Sequence, residues 1–540
     1  MIKAMQLGKD SASGSFKLFI GKIISTIILA VGTIILGLYL EDSGYGLYSI
    51  ALIPITTALL FQDWGVNSAI TRTCANLRSK NETGNLRKTI LAGFAFESVT
   101  GGILTIVTML TATLIATSVY NKPESAPLLS IASIAIVCTS LLFTSQAIFV
   151  GFERMGIYSC VLIFQALCQC VLIPLLVFLG YGALGAIIAY TFSFAAACLV
   201  SVLLVYFKIY RKLGNHSNST DLSLYSHLKP LLSYGFPLAI STILAGLLGQ
   251  VCSLIMGSVV DLATIGSYRV ALNFAVLLTF FTTPITTVMF PTFSKIDPVN
   301  EKSMLRSVFA SSVKYTSLLL IPATFAMIIL AQPIIGIIYG ARYALAPSFL
   351  GLYAAGGLLA LFGLYSLTSF FSALGETKFL LKLSIISLAI GIPLAVVLIP
   401  QFGIFGLIIT SIMSELPLVF AGAYWAWKKY GANADLKSSG KIFLAAIISA
   451  GLTYYATTIT QSTYVIQLIL GASIFVIAYI VFCPLVGAIT QADINNLREI
   501  LSGMGVFLKI LQIPLEIMGK IQKLISNIQF SIKKHFDMTN

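Results

Sequence analysis

The chain has 540 residues, of which 58% are hydrophobic and 10% charged, with a mean hydropathy of +0.96 and a net charge of +14. A soluble domain carries roughly 25% charged residues, so this composition excludes a water-soluble globular protein. The basic residues are spread through short segments between apolar stretches rather than gathered in one patch, which excludes nucleic acid as their partner and makes them topology signals.

A helix rises about 1.5 Å per residue and a bilayer's hydrocarbon core is about 30 Å thick, so membrane spans are sought as apolar runs of about twenty residues. Fourteen are predicted, at 16–40, 46–62, 89–118, 126–150, 156–179, 183–207, 231–259, 267–291, 312–333, 346–372, 379–399, 404–427, 441–460 and 464–488. The first, Phe16–Leu40, exceeds the roughly 7 to 15 residues of a signal-peptide core and is followed by no small-residue cleavage site, so it is expected to persist as a membrane helix. If the N-terminus is cytoplasmic, only Lys122, Arg269 and Arg342 of the 33 Lys and Arg residues fall at external ends, as the positive-inside rule requires. The expectation is a multi-pass protein of the cell membrane with both termini cytoplasmic. External connections such as Tyr120–Ser125 are too short for a catalytic domain, and the sequons at Asn81, Asn215 and Asn218 fall on the cytoplasmic side, where they stay unglycosylated.

The eight cysteines, Cys74, Cys138, Cys160, Cys168, Cys170, Cys198, Cys252 and Cys483, lie in or beside apolar stretches, form no CxxC pair and have no neighbouring His in sequence. They are expected to be small buried residues rather than metal ligands or a disulfide framework. Beyond Thr490 the apolar residues Ile517, Ile521, Leu524, Ile525, Ile528 and Ile532 recur at helical spacing among Lys520, Lys523, Lys533 and Lys534, a basic amphipathic helix expected to lie on the inner leaflet.

The chain also repeats itself. Gly46-Leu47-Tyr48-Ser49-Ile50-Ala51 matches Gly266-Ser267-Tyr268-Arg269-Val270-Ala271 at an offset of 220 residues, and the segment from Tyr181 to Ile188 matches that from Phe402 to Ile409 at 221. Six spans per copy is an even number, so the copies share one orientation as parallel repeats with a cavity between them. The organisation expected is an all-α integral membrane protein of about fourteen transmembrane helices: an N-terminal lobe at 1–207, a cytoplasmic inter-lobe loop at 208–230, a C-terminal lobe at 231–430, two added helices within 431–490 and the tail at 491–540.

Several short motifs carry a resemblance. In the first repeat they are Tyr45-Gly46-Leu47-Tyr48, Asp63-Trp64-Gly65-Val66-Asn67 leading to Arg72, and Gly151-Phe152-Glu153-Arg154. In the second they are Leu231–Pro237, Gly266-Ser267-Tyr268 with Ala271, Phe290–Phe293, Tyr339-Gly340 with Tyr343, and Leu374–Lys378. Their order and spacing resemble the polysaccharide-transporter branch of the multidrug/oligosaccharidyl-lipid/polysaccharide exporter superfamily, the O-antigen flippases and their archaeal relatives. The resemblance implies a flippase that carries a polyprenyl- or dolichyl-type phosphate- or pyrophosphate-linked saccharide from the inner to the outer leaflet by alternating access, alongside glycan-assembly enzymes. Similar proteins carry a basic residue about where Asn273 stands; here Arg269 lies one turn earlier on the same face.

Flipping needs a wet polar groove, because each unsatisfied polar group in hydrocarbon costs several kcal/mol. Glu97 and Glu415 lie roughly 13 and 16 Å into their spans, and each is either a site for a coupling Na+ or H+ or a protonated carboxyl bonding helices together. Lys22, one and a half turns into the first span, either reaches a substrate phosphate or snorkels to the inner surface. Arg269 and Arg342 suit a phosphate arriving outside or a lipid headgroup, with Asn273 beside the former. Gln250, like Gln165 and Gln169, lines a cavity or glues helices. Asp63, Arg72, Glu153 and Arg154 are expected to fix loop structure, with Asp63 placed to pair with Arg72. No nucleotide-binding or Ser/His/Asp motif occurs, so no cofactor is implied. The alternatives are a small-molecule exporter of the same superfamily, which favours an acidic cavity, and a membrane glycan polymerase or glycosyltransferase, for which the external loops offer few acids, chiefly Glu41, Asp42, Glu124 and Asp261.

Overall fold

The computed structural model describes residues 2–80, 82–213, 224–279, 289, 292–460, 462–502 and 513–524. The sequons at Asn81, Asn215 and Asn218, part of the expected eighth span and the tail beyond 524 lie outside the described residues. The described chain is all helical: α1 Ile2–Tyr39, α2 Asp42–Gln62, α3 Val66–Ser79, α4 Thr83–Leu114, α5 Ala126–Gly151, α6 Met155–Leu176, α7 Gly182–Lys208, α8 Leu224–Val259 and α9 Leu262–Ala275. After these come α10 Lys302–Tyr339, α11 Ala346–Ala355, α12 Leu364–Ala373, α13 Thr377–Phe402, α14 Ile404–Tyr430, α15 Leu436–Thr460, α16 Tyr464–Leu485 and α17 Gln491–Ser502.

Among the described residues eleven stretches are long and apolar enough to cross a membrane, or twelve if one bent pair counts as a span, rather than the fourteen expected. The differences have local causes. Residues 155–213 form a single apolar run that the left-handed φ of Gly180 (+90°) and Gly182 (+54°) divides into α6 and α7, which pack on one another. α11 and α12 are bent by 55° around a 3-10 turn ending at Gly363, whose φ is +86°. The apolar helix at Leu262–Leu278 is short within the described residues.

One helix was not expected at all. Residues 66–79, anticipated as loop, form α3, because Val66, Ala69, Ile70 and Cys74 recur at helical spacing and bury that face. Gly65 in left-handed conformation (φ +75°) makes the elbow from α2 to α3, and Asp63 Oδ1 accepts from the Asn67 backbone N–H at 3.3 Å.

The helices form two compact units, residues 1–273 with 392–407, and 274–391 with 408–540. In the first, α1 lies on α6 where small residues permit close approach: a Cβ on Gly21 would sit 2.4 Å from Ser159 Cβ, and one on Gly32 would sit 3.0 Å from Cys170 Cα. Its core gathers Ile70, Ile90, Ile148 and Phe149. The second is built on aromatic edges, with Phe370 against Phe293 at 5.3 Å and against Phe309 at 4.9 Å between ring centroids. Within it α17 docks on α10: Lys314 Nζ donates to Asp493 Oδ2 at 2.6 Å, Asn496 Nδ2 donates to Tyr315 Oη at 3.1 Å, and Thr490 caps Asp493. The helical segment 513–524 packs through Leu515 and Met518 and leaves Ile513, Ile517 and Leu524 exposed. Ile525, Ile528 and Ile532 of the expected amphipathic helix lie outside the described residues.

Candidate functional site

The polar groups of the first unit line up along α2. Tyr45 and Thr56 are eleven residues apart, three helical turns, and so share a face. At the α2 N-terminal end, Asn273 Nδ2 of α9 donates to Tyr45 Oη at 3.0 Å, and the Tyr45 and Tyr48 rings lie 6.2 Å apart. Arg269, one turn before Asn273, is half-buried, and its charge acts on Tyr45, Tyr48 and Tyr190. Its Nε is buried and has no hydrogen-bond partner among the described residues. Arg269 is thus a half-buried cation within electrostatic range of three phenols and with a donor to spare, an arrangement suited to an anion with hydroxyl-bearing neighbours.

Midway along α2, Thr56 Oγ1 and Thr57 Oγ1 both donate to Gln250 Oε1 of α8, at 3.2 and 3.1 Å. Gln250 thereby links α8 to α2. Gln165 and Gln169 bond to each other within α6 at 2.8 Å.

At the α2 C-terminal end, Glu97 of α4 is fully buried. Gln62 Nε2 donates to its Oε2 at 3.2 Å and Asn67 Nδ2 to its Oε1 at 3.4 Å. Asp63 lies within electrostatic range of this carboxylate. The pairing of Asp63 with Arg72 is not formed: Asp63 caps α3, while the Arg72 guanidinium lies 4.5 Å above the Tyr234 ring of α8. Asp63 precedes α3 across the Gly65 elbow, so no continuous helix fixes its register against Arg72. Arg72 and Tyr234, with Thr73, Asn76 and Lys80, border a cavity of about 300 Å³.

The remaining candidates stand apart. Lys22 is exposed on α1. Glu153, itself at φ +57°, pairs with Arg78 at 3.2 Å, and Arg154 is the N-cap residue of α6. In the second unit Arg342 is exposed in the turn after α10, and Glu415 of α14 borders a cavity of about 390 Å³ with Tyr353, Tyr365, Thr368 and Ser411. Lys122, counted as an external charge, turns inward: its Nζ donates to the carbonyls of Gly257 and Val260 at 3.0 and 2.7 Å, satisfying the end of α8. Burial against that helix end lowers its pKa, offset in part by Asp261 and Glu124.

The residues missed from sequence are Tyr190, Gln62 and Lys314. Tyr190 sits inside an apolar run and Gln62 at the end of one, and neither gives a signal beyond being polar there; Lys314 looks like an ordinary flanking cation.

A family model described as polysaccharide biosynthesis protein matches residues 15–347. The chain is 24% identical over 243 residues to the probable low-salt glycan biosynthesis flippase Agl15 of Haloferax volcanii, covering 45% of this chain and 51% of that one. It is 24% identical over 351 residues to the lipopolysaccharide biosynthesis protein WzxC of Escherichia coli K12, covering 62% and 65%. The aligned part thus spans between half and two thirds of those relatives' lengths. Among solved structures, the lipid II flippase MurJ in an inward closed conformation superposes with a TM-score of 0.68 at 17% identity, covering 86% of this chain and 98% of that one, a likeness of fold. With more than half its length matched by the family model, the chain belongs to the polysaccharide biosynthesis protein family.

Proposed function

We propose that this protein is a flippase that moves a saccharide linked to a polyprenyl- or dolichyl-type phosphate or pyrophosphate from the cytoplasmic to the external leaflet of the cell membrane by alternating access. The carrying observation is the Arg269 region: an arginine with an unpartnered buried Nε, within electrostatic range of Tyr45, Tyr48 and Tyr190, one turn before the Asn273 that bonds Tyr45, inside an apolar helical unit. A phosphate matches the guanidinium fork, and tyrosine rings and hydroxyls match sugar faces and hydroxyl groups. The names of the two curated relatives, one a glycan biosynthesis flippase, support the same substrate class. In this reading the protein is a transporter rather than an enzyme, both termini are cytoplasmic, and glycan-assembly enzymes supply and consume its cargo.

The test is transbilayer movement of a lipid-linked oligosaccharide in proteoliposomes, scored by the fraction that becomes accessible to an impermeant glycosidase. Faster, saturable exposure that discriminates between headgroups is the expected result. No acceleration with several glycan donors, in folded protein, overturns the reading and turns attention to small-molecule export.

A further inference from the structure

In the second unit a 3-10 segment, Gly356–Phe362, breaks the expected span 346–372 near its middle. Irregular backbone at membrane depth persists only where protein buries it or where it borders a wet cavity, and a glycine-interrupted apolar segment points to a binding site. Both conditions meet here. Toward α10 the segment is tightly held: Ser317 Oγ donates to the Ala360 carbonyl at 3.1 Å, and a Cβ on Gly357 would sit 2.4 Å from Thr324 Oγ1. Toward α14 it borders the cavity of about 390 Å³ that Glu415 enters. Ligand pockets run from about 300 to 1,000 Å³, so this one suits a single ring rather than a chain of them.

Its polar wall has a definite composition. Ser411 and Glu415 are one turn apart on α14, Tyr365 and Thr368 share a face of α12, and Tyr353 and Thr279 bring the total to five hydroxyl groups around one carboxyl group. All six residues belong to the second unit. Among the described residues no Lys, Arg or His lines the cavity, and no hydrogen bond or ion pair holds the Glu415 carboxyl. A carboxyl group at membrane depth needs donors. A phosphate cannot supply them, because like charges repel. An apolar cation would meet the charge and leave the hydroxyls idle. A sugar ring supplies two adjacent O–H donors to the two carboxyl oxygens, meets the hydroxyl wall as donor and acceptor, and offers a C–H face to a tyrosine ring.

We propose that this cavity binds one neutral sugar ring, with Glu415 accepting hydrogen bonds from two adjacent ring hydroxyls and Tyr353, Tyr365 and Thr368 completing the contacts. The carboxyl group makes the site selective, because it turns away a ring that carries its own acid. That the ring is part of a lipid-linked cargo rests on the flippase reading; that the cavity takes a sugar does not.

The experiment uses the full chain, purified in detergent, and saturation-transfer NMR of the methyl glycosides of glucose, galactose, mannose, N-acetylglucosamine and glucuronic acid, with tetraphenylphosphonium as the apolar cation. Saturable binding of at least one neutral glycoside and none of the glucuronide is expected. Glu415→Gln is expected to raise its Kd roughly ten-fold, and Thr368→Phe, which fills the cavity, to abolish binding. The proposal is overturned if no neutral glycoside binds, if the glucuronide binds equally well, if both variants bind as wild type does, or if tetraphenylphosphonium alone binds in a manner that depends on Glu415. Should the variants fail to fold, carbodiimide labelling of Glu415 in the wild-type chain decides: protection by the bound glycoside supports the site, and unchanged labelling removes it. Glycoside binding without faster exposure in the liposome assay would keep this site and remove the flippase reading; faster exposure with no glycoside bound would do the reverse.

Discussion

Gly46 and Gly266 make the same contact from opposite sides. A Cβ on Gly46 would lie 1.9 Å from the Leu262 carbonyl oxygen, and one on Gly266 would lie 2.1 Å from the Asp42 carbonyl oxygen. Adding 220 residues to the pair Asp42 and Gly46 gives Leu262 and Gly266, so the repeat seen in sequence is a repeat in space at this crossing. It also sets Arg269 and Asn273 against Tyr45, since α2 and α9 cross at their first turns.

Gly46→Ala and Gly266→Ala are each expected to push backbone from backbone and lower stability by about 1 to 3 kcal/mol, as overpacking does. The apparent melting midpoint in detergent measures this. Effects of similar size at both positions are expected from the shared geometry; a neutral change at either would show that the crossing is looser than described.

Removing the charge at the anion cluster is expected to act on transport more than on folding. Arg269→Met loses a charge-assisted bond worth roughly 2 kcal/mol, or about 30-fold in the rate of headgroup exposure, while Arg269→Lys recovers part of it. Tyr45→Phe, which frees Asn273 Nδ2, is expected to give a smaller loss. Equal rates for wild type and Arg269→Met in the liposome assay would remove the cluster from the transport path.

The docking of α17 carries a pH signature. Burial would raise the Asp493 carboxyl, but hydrogen bonds from Lys314 and Thr490 hold its pKa below the ordinary value. A depressed folded-state pKa stabilises above the unfolded value of about 3.9 and is lost as pH falls through the folded one. The contribution is therefore complete at neutral pH and disappears only below about pH 4. Lys314→Met is expected to cost roughly 2 kcal/mol at pH 7 by stranding Asp493, and Asp493→Asn to abolish the pair's acid sensitivity. Protease access to 491–524 as a function of pH reports both.

Much of the fold was legible because apolar length is a strong signal: α5, α15 and α16 fall close to their expected spans at 126–150, 441–460 and 464–488. α3 escaped because it is 14 residues long and carries Arg72 and Arg78, although its spacing of Val66, Ala69, Ile70 and Cys74 was there to be found. Glu97 stood out as a carboxylate in an apolar run. Its partners did not, because Gln62 and Asn67 reach it only through the turn that Gly65 makes. Lys314 and Asp493 are 179 residues apart, and no local pattern joins such a pair.

Lys122→Met is expected to leave the carbonyls of Gly257 and Val260 without their cation and to cost about 1 kcal/mol. Hydrogen exchange at the last turn of α8 measures it, and unchanged protection there would mean that the end of α8 needs no such cap.

Tyr45, Thr56, Thr57 and Gln62 belong to one helix, so the Arg269 region and the buried Glu97 carboxyl sit at the two ends of a single rod about 26 Å long. Such a rod is a lever. If a proton taken up at one end biases its tilt, the affinity for an anion at the other changes by some factor, and thermodynamic reciprocity obliges the anion to change the proton's affinity by that same factor. Cargo and proton need never meet for each to feel the other's occupancy.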